Sequence, residues 1–194
     1  MTTATKVDRK LVTKGEPDER FPAPTDEAFK DEQDELQDFL DAPTLDAVGR
    51  ALLKQRKELS AIGEFAVVVA FRWKLAGGAT GGKLTLGKCV KLSGLAAHFS
   101  EGTHYVVWLA ADHLRQLKMT RWQVEALLMH ELLHVKIELG ENDGDPPKLK
   151  TRGHDFDGFC AEIEHYGLWQ ADLVTASEAI VKAQQTFAFD GDEA

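Results

Sequence analysis

The chain has 194 residues, 43% hydrophobic and 28% charged, an ordinary composition for a soluble globular protein and enough length for one real core. A net charge of −9 argues against broad attraction to nucleic acid or to an anionic membrane. No window approaches the roughly 18 to 20 apolar residues of a membrane span, and the opening MTTATKVDRKLVTKGEPDER holds no apolar stretch that could serve as a signal peptide.

Residues 1–24 are polar, mixed in charge and punctuated by Pro17, Pro22 and Pro24, which predicts a disordered or loosely attached tail. Residues 25–60 read as an N-terminal helical segment. In TDEAFKDEQDELQDFLD, Thr25 is a candidate cap, acids fill the first turn, and Phe29, Leu36, Phe39 and Leu40 recur at helical spacing. Its acidic side is expected to face water. PTLDAVGRALLKQRKEL predicts a second helix with Leu45, Val48 and Leu52 on one face and an acid-early, base-late order that suits the helix dipole.

The period then changes. In EFAVVVAFRWKL, Phe65, Val67, Val69, Phe71 and Trp73 alternate as in a strand. KLTLGKCVKLS alternates too, with Leu84, Leu86, Val90 and Leu92 on one side, and HYVVWLAA is a third short strand. Three strands grouped apart from the helices predict an α+β fold with a small three-stranded sheet, antiparallel or mixed. Between the first two strands, GGATGGKL matches G-x-x-x-x-G-K, but Leu84 stands where a phosphate loop needs Ser or Thr. A strand follows instead of a helix whose N-terminus could hold phosphate, so a glycine hairpin is the better reading.

TRWQVEALLMHELLHVKIE opens with a Thr120–Gln123 capping box and meets no proline or glycine before Gly140, which predicts a helix over Thr120–Glu138. His130 and His134 fall about 40° apart on a helical wheel, on one inward face, with Glu125 and Lys136 on the opposite, water-facing side. Imidazoles one turn apart can direct nitrogens at one metal ion, and Glu131 beside them can accept a proton from water instead of ligating. H-E-x-x-H is the zinc-protease signature for that reason. Alternatively, His130 and His134 are core histidines satisfied by neighbours.

A catalytic zinc usually takes three protein ligands. TRGHDFDGFCAEIEHYG supplies candidates: Phe156, Phe159, Cys160 and Ile163 mark another amphipathic helix, with His154 at its start. His154 is the expected third ligand. Asp155, Glu162, Glu164 and His165 are weaker candidates, and Glu138 lies one turn beyond His134. Asp155 is alternatively a hydrogen-bond partner of a ligand histidine. His98, His104 and His113 are not expected to be ligands. Trp73, Trp108, Trp122 and Trp169 are expected to pack in or beside the core. Cys89 and Cys160 form no C-x-x-C and are read as free thiols of a reducing compartment.

HELLH, followed by GHDFDGF and HYGLW and preceded by VVWLAADHL, resembles the phage metallopeptidase family, which is similar to the SprT-like zinc proteases with their HExxH and downstream HGxxF. The resemblance covers roughly residues 65–169, not the acidic N-terminal segment or the C-terminal helix. Asp155 departs from the SprT-like pattern, where glycine is usual. The resemblance implies a zincin-like, minigluzincin-like metallopeptidase domain over residues 61–190: a sheet beside an HExxH helix and a second metal-bearing helix. It implies a zinc ion on His130, His134 and His154, with Glu131 as general base. It also implies a protein or peptide substrate and, for a phage-encoded protein, the host cytoplasm.

In similar proteases an edge strand pairs with an extended substrate, and HYVVWLA is the expected strand here. Tyr166, His165 and Arg152 are candidates to stabilise the oxyanion. Two alternatives remain: a zinc-stabilised phage protein that binds a host protein and cleaves nothing, and a DNA-linked protease like the SprT-like repair enzymes. The intact Glu131 speaks against the first and the charge of −9 against the second. TASEAIVKAQQTFAF, with a Thr175–Glu178 capping box and Ala176, Ile180, Ala183 and Phe187 on one face, predicts a C-terminal helix docked on the domain.

Overall fold

Alternating apolar residues make the sheet. In a computed structural model, which describes residues 11–12, 19–80, 82–140, 142, 145–154 and 159–189, four strands pair in one mixed sheet. They are β1 (Phe39–Asp41), β2 (Val69–Lys74), β5 (Gly87–Lys91) and β6 (Tyr105–Ala110), and a hairpin of β3 (Ala79–Thr80) and β4 (Lys83–Leu84) lies between β2 and β5 in the chain. The order is β1-β2-β6-β5, with β2 and β6 parallel and both outer strands antiparallel to their neighbours. Val69, Phe71, Trp73, Tyr105, Val107 and Leu109 line the buried face. The glycine-rich stretch is the β3–β4 hairpin, as expected from its sequence.

The fourth strand, β1, comes from the segment expected to be an acidic helix. Residues 26–41 form instead a 3-10 turn at Asp26–Phe29, a bridge between Lys30 and Leu36, and β1. Asp31 explains the difference. Its carboxylate accepts the Gln33 and Glu35 backbone N–H groups at 2.9 Å and the Gln37 amide at 2.8 Å, bonds that compete with a helical backbone. The apolar residues never formed a stripe either: Phe29 is buried while Leu36 and Phe39 are exposed.

Helix α1 (Pro43–Gln55) forms as expected, with proline in its first turn and Leu45, Val48 and Leu52 buried. A Cβ at Gly49 would overlap the Phe71 ring, so glycine lets this helix sit close on the sheet. Helix α2 (Ser60–Glu64) follows, and Phe65, expected to begin the strand, is exposed at the end of α2. In β5 the inward residue is Cys89; Leu84, Leu86, Val90 and Leu92, expected on the inner side, are not buried, because the pairing of Cys89 with Val107 sets the opposite register. Helix α3 (Gly94–Phe99) buries none of its residues, and α4 (Ala111–Gln116) follows β6.

Helix α5 (Arg121–Leu133) opens on the predicted capping box, with Thr120 and Gln123 satisfying each other's backbone. It ends at Leu133, earlier than expected, because Val135–Glu138 pairs as β7 with β8 (Lys148–Thr151). The alternation of V-K-I-E wins over the helical period once a partner strand is present. Glu125 is also not water-facing: it is fully buried and accepts the Val12 N–H at 3.0 Å. Of the expected N-terminal tail, residues 1–10 and 13–18 lie outside the described set; Leu11, Val12 and Phe21 are buried.

The chain divides into two compact units, Met1–Phe159 and Cys160–Ala194, a boundary inside the span 61–190. The second unit holds α6 (Cys160–Tyr166) and α7 (Ala171–Phe189). Gly167, at a φ of 67°, turns the chain between them, and the Trp169 indole donates to Glu162. Thr175 lies within α7 and so does not cap its start. No helix among the described residues is long and apolar enough to cross a membrane.

Candidate metal centre

Helix α5 and strand β8 bring three histidines to one point in the first unit. His130 is on the last turn of α5 and His134 is its C-cap, still in helical conformation at φ −69° and ψ −18°, so the one-turn spacing holds. His154 follows β8 in an irregular stretch; residues 155–158, including Asp155, lie outside the described set. The three rings stand 4.7–5.2 Å apart between centroids. One ring nitrogen from each lies within 4.8 Å of the others, and Nε2 of His154 is 3.0 Å from Nε2 of His130. Two imidazole nitrogens at that distance cannot both be protonated and still face each other without repulsion. Neutral imidazoles aimed at a common point are the donor set of a first-row metal ion.

The surroundings hold the rings in place. Arg152 N–H donates to the His134 carbonyl at 2.7 Å, and His134 Nδ1 meets the Arg152 carbonyl at 2.7 Å. With its Nδ1 proton on that carbonyl, His134 presents an unprotonated Nε2, the tautomer that a metal ligand needs. Phe159 is fully buried, with its ring 5.0–5.2 Å from all three imidazoles, and the Arg152 guanidinium lies 5.1 Å from the same ring. Sequence reading treated Phe159 only as one residue of an amphipathic helix and Arg152 only as a side chain. The floor under the rings and the carbonyl clamp depend on tertiary contacts that no spacing encodes.

Glu131 is 5% exposed and points between α5 and β5. A Cβ built on Gly87 would stand 3.1 Å from its Oε1. Cys89, two residues along the same strand, has its thiol pushed up to about 12, first by burial and then by the negative charge of Glu131. The carboxylate therefore sits in a poorly solvated wall beside the histidines.

Glu138 lies on β7 with Lys136 and Lys150 at 2.7 and 2.6 Å. Glu162, Glu164, His165 and Tyr166 lie on α6 in the second unit. His104 accepts the Val68 N–H, buried His113 meets the Thr85 carbonyl, and His98 packs edge-on to Phe99. Trp73 and Trp108 are buried, and Lys74 lies over the Trp108 ring at 4.8 Å. Strand β6, expected as a substrate-pairing edge, is interior, flanked by β2 and β5; the sheet edge that packs against α5 is β5.

No curated protein and no solved structure matches the chain. One family model does, over residues 37–178, a span that takes in the whole sheet, α1, the three histidines and the start of α7. By that match the chain belongs to the family described as "Putative phage metallopeptidase".

Proposed function

We propose that the protein is a zinc-dependent metallopeptidase acting on a protein or peptide in the host cytoplasm, with His130, His134 and His154 as ligands and Glu131 as general base. The convergence of three imidazole nitrogens within 4.8 Å carries the reading. Three neutral histidines are a donor set that suits zinc and leaves a coordination position open. A bound zinc would supply Lewis acidity, polarising the scissile carbonyl and making water more acidic.

The chain's own groups do the rest. Glu131, next to His130 and held in a poorly solvated wall, takes the proton of the attacking water and returns it to the leaving amine. The Arg152 cation, beside the rings, stabilises the negative charge that develops on the carbonyl oxygen. Strand β5, the sheet edge beside α5, offers backbone groups to an extended peptide, which gives affinity with little sequence preference.

Metal content per chain, measured on protein purified without chelator, tests the ligands. One zinc per chain is expected, lost or weakened at least about tenfold in His154→Ala. Glu131→Gln should keep the metal and lose peptide hydrolysis by a factor of about a hundred or more. A folded protein that takes up no metal when offered zinc would overturn the reading. Metal retained without hydrolysis of any peptide in a broad substrate library, by the unmodified chain, would leave a zinc-stabilised binding protein instead.

A further inference from the structure

Gly87 opens β5 at the sheet edge, opposite Leu109 of β6, and its inner face meets the wall that holds Glu131. A methyl group there would stand 2.7 Å from Leu109 Cδ2, 3.1 Å from Glu131 Oε1 and 3.1 Å from the Trp108 carbonyl oxygen. The first of these neighbours is the end of a flexible side chain and can move. The other two are a backbone oxygen and the carboxylate itself. Gly87 has no unusual φ, so its backbone conformation does not demand glycine. The space taken by Leu109, Glu131 and the Trp108 carbonyl does.

We infer that Gly87 is a positioning residue: its missing side chain is the recess that seats the Glu131 carboxylate beside the three histidines. This rests on the peptidase reading for its effect on rate, though not for its effect on geometry. A β-carbon at position 87 has two ways to be accommodated. Strand β5 can shift outward, or the carboxylate can swing away. Pairing with β6 from Gly87 to Lys91 holds the strand, whereas the glutamate turns about single bonds. The carboxylate is the part that yields. A contact of 3.1 Å asks the carboxylate to give by a few tenths of an ångström, and where about 1 Å of misplacement costs about a hundredfold in rate a shift of that size costs several-fold. The three atoms nearest a β-carbon at position 87 belong to Leu109, Glu131 and Trp108, and none belongs to His130, His134 or His154.

Three full-length variants test this: Gly87→Ala, Gly87→Ala with Leu109→Val, and Gly87→Ala with Glu131→Gln. Leu109→Val removes the clash with Leu109 and leaves the one with Glu131. The expected result is zinc stoichiometry and affinity within about threefold of the unmodified protein and a melting temperature restored by Leu109→Val. With those, kcat should fall about three- to tenfold in both the first and second variants, at little changed KM. The third variant should be no slower than Glu131→Gln alone, because a recess matters only to the side chain it seats. Crystals of Gly87→Ala should show the Glu131 carboxylate displaced.

Unchanged kcat overturns the inference, and so does a loss of activity that Leu109→Val restores, since that would be packing alone. A Glu131 carboxylate unmoved in the crystal overturns it too. If the unmodified protein binds zinc but cleaves nothing, the peptidase reading fails, and the carboxylate position in the variant crystal still decides the role of Gly87.

Discussion

Cys89 shows how far a single side chain reports on its surroundings. Its sequence context gives only a thiol in an alternating strand. Its position beside Glu131, under β6, raises its pKa to about 12 through burial and then through the carboxylate's charge. At pH 8 the thiolate, which is the reactive form, is then about one part in ten thousand. Cys160 is exposed. A disulfide reagent added to native protein at pH 8 should therefore modify one thiol quickly, and Cys160→Ser should remove that reaction. Two fast thiols would mean that β5 opens readily or that Glu131 is elsewhere. HELLH itself was legible because each letter has a chemical job at a fixed spacing. Gly87 was not, because the need for an absent side chain appears only when β5 and α5 are brought together.

Elements were legible where one period dominates and misread where two compete. Helix α5 announced its start through Thr120 and Gln123, and its end was hidden because V-K-I-E is compatible with either period until β8 supplies partners. The acidic segment failed for the opposite reason: its helical spacing was thin, and Asp31 gathered two backbone N–H groups that a helix would have used.

The β7–β8 hairpin carries its own test. Lys136 and Lys150 are directly opposite in register, a repulsive pair that Glu138 bridges. The hydrogen bonds from Lys136, then from Lys150, lower the Glu138 carboxyl from 4.5 to about 2. A carboxylate with a lowered folded-state pKa stabilises fully above its unfolded value and loses that contribution as pH falls towards the folded one. Glu138→Gln should thus lower the melting temperature at pH 7 and increase hydrogen exchange at the Ile137 and Leu149 amides. Both differences should shrink between pH 4.5 and about 2. A difference of constant size across that range would show that the amide disrupts packing and that the charge is irrelevant.

Across the whole molecule, the histidine cluster is tied to chain far from it in sequence. His130, Glu131 and His134 stand at the end of α5, and the start of that helix is held by Val12, Glu19 and Phe21. Arg121 N–H donates to the Glu19 carbonyl at 2.8 Å, Phe21 N–H to Met119 at 2.9 Å, and Val12 N–H to the fully buried Glu125 at 3.0 Å. Phe21 also packs against Trp73 at 6.1 Å between ring centroids. The mixed charge and the prolines of residues 1–24 suggested a tail, and nothing local in them tells that Glu125, 113 positions after Val12, accepts the Val12 N–H.

Among the described residues, Val12, Glu19 and Phe21 hold the end of α5 opposite His130 and His134, and Leu11, Val12 and Phe21 are buried in the core. Deleting residues 1–24 should therefore destabilise the protein without activating it. Leaving Glu125 without the Val12 N–H costs about 1–3 kcal/mol, and losing the burial of Phe21 about 1.5–3 kcal/mol more. A combined loss of about 2.5–6 kcal/mol lowers the melting temperature of a chain this size by roughly 5–24 °C. Val12→Pro, which removes the donor and leaves Phe21 in place, should give a smaller fall in the same direction. A truncated protein that keeps its melting temperature and hydrolyses peptides faster would show that the segment inhibits the site and that α5 needs no hold on its first turn.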